Sequence, residues 1–520
     1  MFHDNKAVRL RKEVLARVAR AFFTAQPDDT LNRIPLTMRP KGAKDSSRCC
    51  IYKDRVVLKY RSMAALGFSV ESETDELKPV SAYFAEALQR KTPTPPVLTV
   101  IDEACSACVT TCYTATNACK GCLARSCESV CPKDAIEFRN GKAWLNPDKC
   151  VNCGLCMKAC PYHAIIRIPI PCEEACPVGA ITKDPETGRE TIDHTKCTYC
   201  GKCLTECPFA AISDLSQMVD VLQRLKEGNA VAMIAPSIIG QLPGTLPQLI
   251  SALETLGFSS VIEVAEGAEE TTLHESAEWA EKISEGERFI TTSCCPAYIE
   301  TVEKHLPEMR PFVSDTPTPM AYTASKVREI APEAVTVFIG PCIAKRVEAA
   351  KNPDVDYVLT FEELGAMLVG AGIDVFECRE AVDRPTPSRE GRGFAASSGV
   401  THAVKAVAPG NAALEPLLVN GLDTKTIRQM SLWATKSCPG NFVEVMSCEG
   451  GCIAGPGSMG NPRLVKKQLD ELLKDSPALR TKPISTYRLT NIDLNGTVSG
   501  ITGDFFNEST GTQNSRSTDA

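Results

Sequence analysis

The sequence predicts an α/β protein. Its C-terminal half should form mainly parallel sheets covered by helices, behind a small cysteine-dense α+β segment. Three observations carry this reading. From about Leu215 onward, short apolar runs alternate with amphipathic stretches, the pattern of strands covered by helices. Seventeen of the 26 cysteines lie between Cys105 and Cys207, so one segment is chemically unlike the rest. Hydrophobic residues make up 43% of the 520, enough for real cores, and at about 150 residues per domain the chain should hold three or four.

In order along the chain, residues 1–100 have no cysteine motif beyond the pair Cys49-Cys50. Val8, Val14, Leu15, Val18, Ala21 and Phe22 recur at helical spacing and predict a helix from about Ala7 to Thr24. This N-terminal region carries no functional signal. KTPTPPVLTV (91–100) is Pro-rich and reads as a linker, which places a domain boundary there. Residues 101–214 form the cysteine-dense domain, and residues 215–494 the second large domain. There, helices are expected in LSQMVDVLQRLKEG, in LPQLISALETLG and near 269–283. Strands are expected at 230–236, 259–265, 288–293, 334–340, 356–360, 416–420 and 442–447. After about Asn495 the chain is polar and reads as a flexible tail.

Several function classes are disfavoured by bulk properties. The net charge is −7 with both signs mixed, unlike the basic surfaces that bind nucleic acid. No apolar run is long enough to span a bilayer. The start MFHDNKAVRLRKEVLARV lacks the apolar core of a secretory signal, so a cytoplasmic location is expected. Disulfide frameworks belong mostly to small secreted domains, so this many cysteines in a long chain point to metal binding.

The spacings say which metal chemistry. DKCVNCGLCMKACPYHAI supplies Cys150, Cys153, Cys156 and Cys160-Pro161, and KCTYCGKCLTECPFAAI supplies Cys197, Cys200, Cys203 and Cys207-Pro208. Both match the run C-x2-C-x2-C-x3-C-P of bacterial 4Fe–4S ferredoxins. Three closely spaced thiolates hold one cube while the fourth points to its neighbour. ACKGCLARSCESVCP adds Cys119, Cys122, Cys127 and Cys131, PCEEACP adds Cys172 and Cys176, and Cys105 and Cys108 form a further pair. The phrases CPKDAI, CPYHAI, CPVGAI and CPFAAI show that the unit is duplicated. Swapped pairing then predicts four cubes, of which the first two are the best founded: Cys119, Cys122, Cys127 with Cys160; Cys150, Cys153, Cys156 with Cys131; Cys197, Cys200, Cys203 with Cys176; and Cys105, Cys108, Cys172 with Cys207. Cys112 is left over. Structural zinc is the competing reading of paired C-x2-C, but the triplets ending in Cys-Pro disfavour it.

Three further motifs follow in order: TTSCCPAY (291–298), IGPCIAKRVE (339–348) and EVMSCEGGCIAGPG (444–457). Each comes after an apolar strand and so belongs on a strand-end loop, where α/β sheets hold ligands. Gly450-Gly451 allows a tight turn between Cys448 and Cys452. These phrases resemble those of the iron-only (FeFe) hydrogenase family over roughly residues 230–475. RCCIYKDR near Cys49 and the early cluster segment are similar to its monomeric subgroup, often called group B.

The resemblance implies a two-lobed catalytic domain with mainly parallel sheets, preceded by a ferredoxin-like domain. It also implies an H-cluster, a 4Fe–4S cube joined through one cysteine to a two-iron subsite bearing CO, CN and a dithiolate bridge. Cys295, Cys342, Cys448 and Cys452 would ligate the cube, with Cys452 bridging to the subsite. Cys294 would be the proton-donating thiol, although a buried inert cysteine is the commoner fate of that residue type. Lys345, Pro236 and Ser237 would contact cyanide ligands, and Met446 would pack beside the subsite. Glu275 and Glu278 lie three apart on one helix face; with Ser314 they match the family's proton relay. Two glutamates on a solvated helix face are the plain alternative.

Gly340, Met320, Tyr298 and the run Ala454 to Gly457 depart from the family's best-known members, which have Met, Gln, Trp and an Asn-Gly-Gly run there. The expected activity is reversible interconversion of protons plus electrons with dihydrogen, wired by the cubes. Expected partners are a soluble ferredoxin or flavodoxin and the maturation proteins that build the subsite. The competing functions are a hydrogen sensor and an iron–sulfur scaffold of the same fold. Cys294, Lys345 and Cys452 favour the enzyme.

Overall fold

The computed structural model describes residues 5–43, 48–105, 108, 113–380, 386–409 and 413–479. The expected tail and Cys112 lie outside these residues. The C-terminal half contains two parallel sheets. One has four strands in the order Ser260–Glu263, Ala230–Ile234, Val335–Ile339, Tyr357–Leu359. The other has three, in the order Ile290–Thr291, Phe442–Met446, Pro416–Asn420. The central strands Ala230–Ile234 and Phe442–Met446 are buried along their whole length; the first reads as a continuous apolar run, and the second carries one buried carboxylate, Glu444, which accepts from the Ser398 and Thr401 amides. Helices flank them: Leu246–Leu256 begins with a Thr245/Gln248 capping box, and Phe361–Ala371 with a Thr360/Glu363 box. All seven expected strands exist, but RFITTS shortens to two residues because the chain turns immediately into the cysteine loop.

The cysteine-dense segment consists of two units. The outer one pairs Tyr113–Ala115 with Ile165–Arg167 and holds the hairpin Ile136–Arg139/Lys142–Leu145. That hairpin turns on Asn140 and Gly141, both with positive φ, as a tight two-residue loop requires. A small core of its own includes Ile136, Leu145, Ile165, Cys127 and Cys156. The inner unit pairs Ile181–Lys183 with Glu190–Ile192, and Leu98–Val100 with Ile212–Asp214. The last residues of the expected linker are therefore a strand of the cluster domain, and only the part before Leu98 connects.

The boundary near residue 100 does not separate two cores. The helices Lys6–Phe22, Pro27–Met38, Ile51–Ala65 and Val80–Gln89 share one continuous core with the inner unit and the four-stranded sheet. Lys6–Phe22 packs on Phe361–Ala371 so closely that a Cβ on Gly370 would stand 2.7 Å from that of Ala19. Arg11 grips Glu362 with two bonds of 2.7 and 2.8 Å, and Arg90 grips Asp220 with two of 2.7 and 2.6 Å. The fully buried Arg346 bonds Asp214 of the inner unit and Glu363 of the capping box, each at 2.7 Å. A buried guanidinium held by two carboxylates locks these parts in one register.

Candidate active site and cluster sites

The four CP-x-x-AI phrases fold alike. Their fourth residues, Asp134, His163, Gly179 and Ala210, all take the left-handed backbone conformation, with φ of 47°, 49°, 63° and 46°. This turn aims the next amide at the cysteine sulfur. Ala135, Ala164, Ala180 and Ala211 donate to Cys131, Cys160, Cys176 and Cys207 at 3.2–3.3 Å. Amide donors to sulfur are among the means by which proteins set cluster potentials.

The cysteines meet in swapped sets. One small cavity is lined by Cys119, Cys122, Cys127 and Cys160. Another is lined by Cys131, Cys150, Cys153 and Cys156. In the inner unit, burial and then the neighbours Cys200 and Cys176 raise the Cys197 thiol, so these three cysteines are near enough to act on one another. Cys203 is raised by burial and by Cys200, Cys197 and Cys176. Cys172 is pushed up to about 12 by burial, with Glu190, Cys207, Cys108 and Cys105 adding to it. Four sulfurs spread around a cavity suit a cube, which is wider than one ion. Among the described residues, no three His, Cys, Asp or Glu groups converge tightly enough for a single metal ion.

A separate apolar cavity opens where both parallel sheets end at their C-terminal edges. Its wall includes Cys294, Cys295, Cys342, Cys448 and Cys452, together with Pro236, Ser237, Lys345 and Met446. Cys295 caps the helix Pro296–His305, whose N-terminus favours a thiolate. The loop from Cys448 to Cys452 turns through Gly450 and Gly451, with φ of 92° and 88°. A Cβ on Gly451 would stand 2.5 Å from the Ser397 amide nitrogen, so only glycine fits. Burial raises Cys295, Cys342 and Cys448, and takes Cys452 to about 11, so these thiols are poor anions until a cation compensates them. The Ser237 hydroxyl is buried without a protein partner. Four thiols and an orphaned hydroxyl around one apolar cavity fit a cube with a polar appendage. Cys200 of the inner unit lines the same cavity, which brings one accessory cube site to its edge.

Lys345 is held by Glu348 at 2.6 Å and Thr318 at 3.4 Å, and its ammonium lies 5.9 Å from the centre of the Phe338 ring. Its positive charge persists: burial lowers its pKa, but Glu348 outweighs this and raises it. Cys294 lines the cavity. Burial, then the Glu275 carboxyl, raises its pKa well above the usual thiol value, so it keeps its proton.

Glu275 and Glu278 lie on the long helix Ala265–Ser284. Glu275 is fully buried; one oxygen accepts from the Ser293 amide at 3.3 Å, and the other has no partner. Burial pushes it up to about 8, with Glu278 and Glu444 adding to the effect. Glu278 is half-buried, but Lys282, Ser314, Thr316 and the Asp315 amide hold it down to about 2 against that burial. The Ser314 hydroxyl donates to Glu278 at 2.5 Å. A neutral carboxyl inside and an ionised one towards solvent are thus set apart by environment alone. Three residues escaped the sequence reading: Phe338, which lines the cavity, and Glu348 and Thr316, which hold Lys345 and Glu278. Glu348 alone left a trace, one helical turn beyond Lys345.

Comparison with known proteins agrees with this geometry. Residues 228–456 match the C-terminal domain of the iron-only hydrogenase large subunit. Residues 143–166 match a 4Fe–4S binding domain, and residues 171–211 a 4Fe–4S dicluster domain. Iron hydrogenase 1 of Clostridium pasteurianum is 28% identical over 416 residues, covering 67% of this chain and 70% of that one. The periplasmic [Fe] hydrogenase large subunit of Nitratidesulfovibrio vulgaris is 28% identical over 313 residues, covering 48% and 74%. A solved variant of the [FeFe]-hydrogenase HydA1 from Chlamydomonas reinhardtii is 21% identical with a TM-score of 0.42, covering 53% of this chain and 91% of that one. Residues 228–456 are thus similar to the C-terminal domain of the iron-only hydrogenase large subunit, and 4Fe–4S domains stand before them.

Proposed function

We propose that this protein interconverts protons plus electrons with dihydrogen at an H-cluster held by Cys295, Cys342, Cys448 and Cys452. The observation that carries the reading is the single cavity in which those four thiols meet Cys294, Lys345 and Ser237. When bound, the cluster would supply an open iron site that accepts electrons and activates hydrogen. The protein's residues do the rest. Lys345 offers a fixed positive charge and donors to anionic ligands such as cyanide. Pro236, Ser237 and Met446 shape the pocket. Cys294 holds a proton at the cavity wall. Glu275 is protonated at neutral pH, lies near Cys294, and can pass a proton towards Ser314 and Glu278.

Electrons would travel through four accessory cubes. The inner set at Cys176, Cys197, Cys200 and Cys203 would be the last station, because Cys200 borders the catalytic cavity. The others would sit at Cys105, Cys108, Cys172 and Cys207, at Cys119, Cys122, Cys127 and Cys160, and at Cys131, Cys150, Cys153 and Cys156. A small ferredoxin or flavodoxin would deliver electrons, and dedicated maturation proteins would install the subsite. No helix among the described residues is long and apolar enough to cross a membrane. The cytoplasm is the compartment that suits so many cluster-binding thiols, because its reductants keep them from forming disulfides. The test is hydrogen evolution from a reduced one-electron carrier by matured protein. Turnover that vanishes in Cys294→Ala while all iron is retained supports the enzyme. Matured wild type with full iron and no turnover would identify a sensor or scaffold instead.

A further inference from the structure

Phe338 sits near the end of the strand Val335–Ile339, and its ring faces the catalytic cavity. The backbone two residues on is shaped by that ring. A Cβ built on Gly340 would stand 2.6 Å from Phe338 Cε1, 2.8 Å from Cζ and 3.1 Å from the Ala235 Cβ. Gly340 does not have positive φ; the closest obstacle to a side chain there is the ring, with Ala235 second. On another side, the Lys345 ammonium lies 5.9 Å from the ring centre, within cation–π range. Ala235, the third neighbour of a Cβ on Gly340, leads directly into Pro236 and Ser237.

We propose that Phe338 is a specificity-determining wall of this cavity. Its ring occupies the room that a side chain at position 340 would take, supports Lys345, and sets the free volume open to small uncharged molecules such as dihydrogen, carbon monoxide and oxygen. The proposal rests on the cavity being the hydrogenase site, but its geometry is testable without the two-iron subsite. Enlarged apolar cavities take up xenon. Crystals of protein carrying its 4Fe–4S clusters but not the two-iron subsite should, under xenon, gain a site next to Gly340 in Phe338→Ala that wild type lacks, with a smaller gain in Phe338→Leu. Gly340→Ala should lower the melting temperature of wild type and cost less in the Phe338→Ala background, since the two shortest contacts are then gone and only the 3.1 Å approach to Ala235 remains. In matured protein, the rate of carbon monoxide inhibition should rise several-fold in Phe338→Leu. Identical xenon sites in all variants, or an equal Gly340→Ala penalty in both backgrounds, would overturn the proposal. Matured wild type without metal-bound carbonyl bands would instead overturn the functional reading, and leave the xenon and melting results to judge Phe338.

Discussion

At the scale of single residues, the contrast between Glu275 and Glu278 matters most. Two glutamates one helical turn apart are driven in opposite directions, one to about 8 and one to about 2. Glu275→Gln keeps the shape but cannot carry a proton, so turnover should fall by about 10²- to 10⁴-fold while the cluster spectra persist. The same shift makes a stability prediction. Between the ordinary carboxylate value and about 8, folded protein holds a proton on Glu275 that unfolded chain has released. Wild-type stability should therefore decline relative to Glu275→Gln as pH rises through that window, by at most about 1.4 kcal/mol per pH unit. Denaturant unfolding of both apo-proteins from pH 5 to 8 reads the difference directly. These glutamates were legible in the sequence because a helix puts such spacing on one face. Phe338 was not, because a strand whose residues are nearly all buried has no alternation to show which side chain faces the cavity.

At the scale of elements, the repeated cysteine phrase was visible as text, and its cause is the left-handed turn at its fourth residue. The spelling differs at that position, Asp, His, Gly or Ala, because several residue types tolerate the turn once the cluster loop fixes it. What stays is the alanine whose amide meets sulfur. Ala164→Pro removes one donor to Cys160. The prediction is that one accessory cluster, and only one, moves to lower potential in a spectroscopic redox titration, because the extra negative charge of the reduced state loses a stabilising dipole. An unchanged titration would mean that this bond does not tune the cluster. The strands were foreseen in number but not in length. Ends such as that of Ile290–Thr291 are set by the ligand loop that follows, which leaves no mark on local hydropathy.

At the scale of the whole molecule, the four N-terminal helices between Lys6 and Gln89 share one core with the four-stranded sheet. Composition could not show this, since a helix packing within its own domain and one packing on a distant domain have the same periodicity. Arg346, tied to Asp214 and Glu363, spans the join between cluster segment and catalytic half. Arg346→Ala leaves the buried Glu363 and the half-buried Asp214 without this cation and should destabilise the protein by about 3 kcal/mol, measured by chemical denaturation. Iron content is also a whole-molecule property: four accessory cubes and a six-iron H-cluster predict about twenty-two irons per chain. The central claim is that the cavity bounded by Cys295, Cys342, Cys448 and Cys452 holds an H-cluster. Infrared spectroscopy of the fully matured protein tests it most directly. The account predicts sharp bands from metal-bound carbon monoxide and cyanide, shifted by Lys345→Ala. A matured, iron-replete protein with no such bands would contradict it.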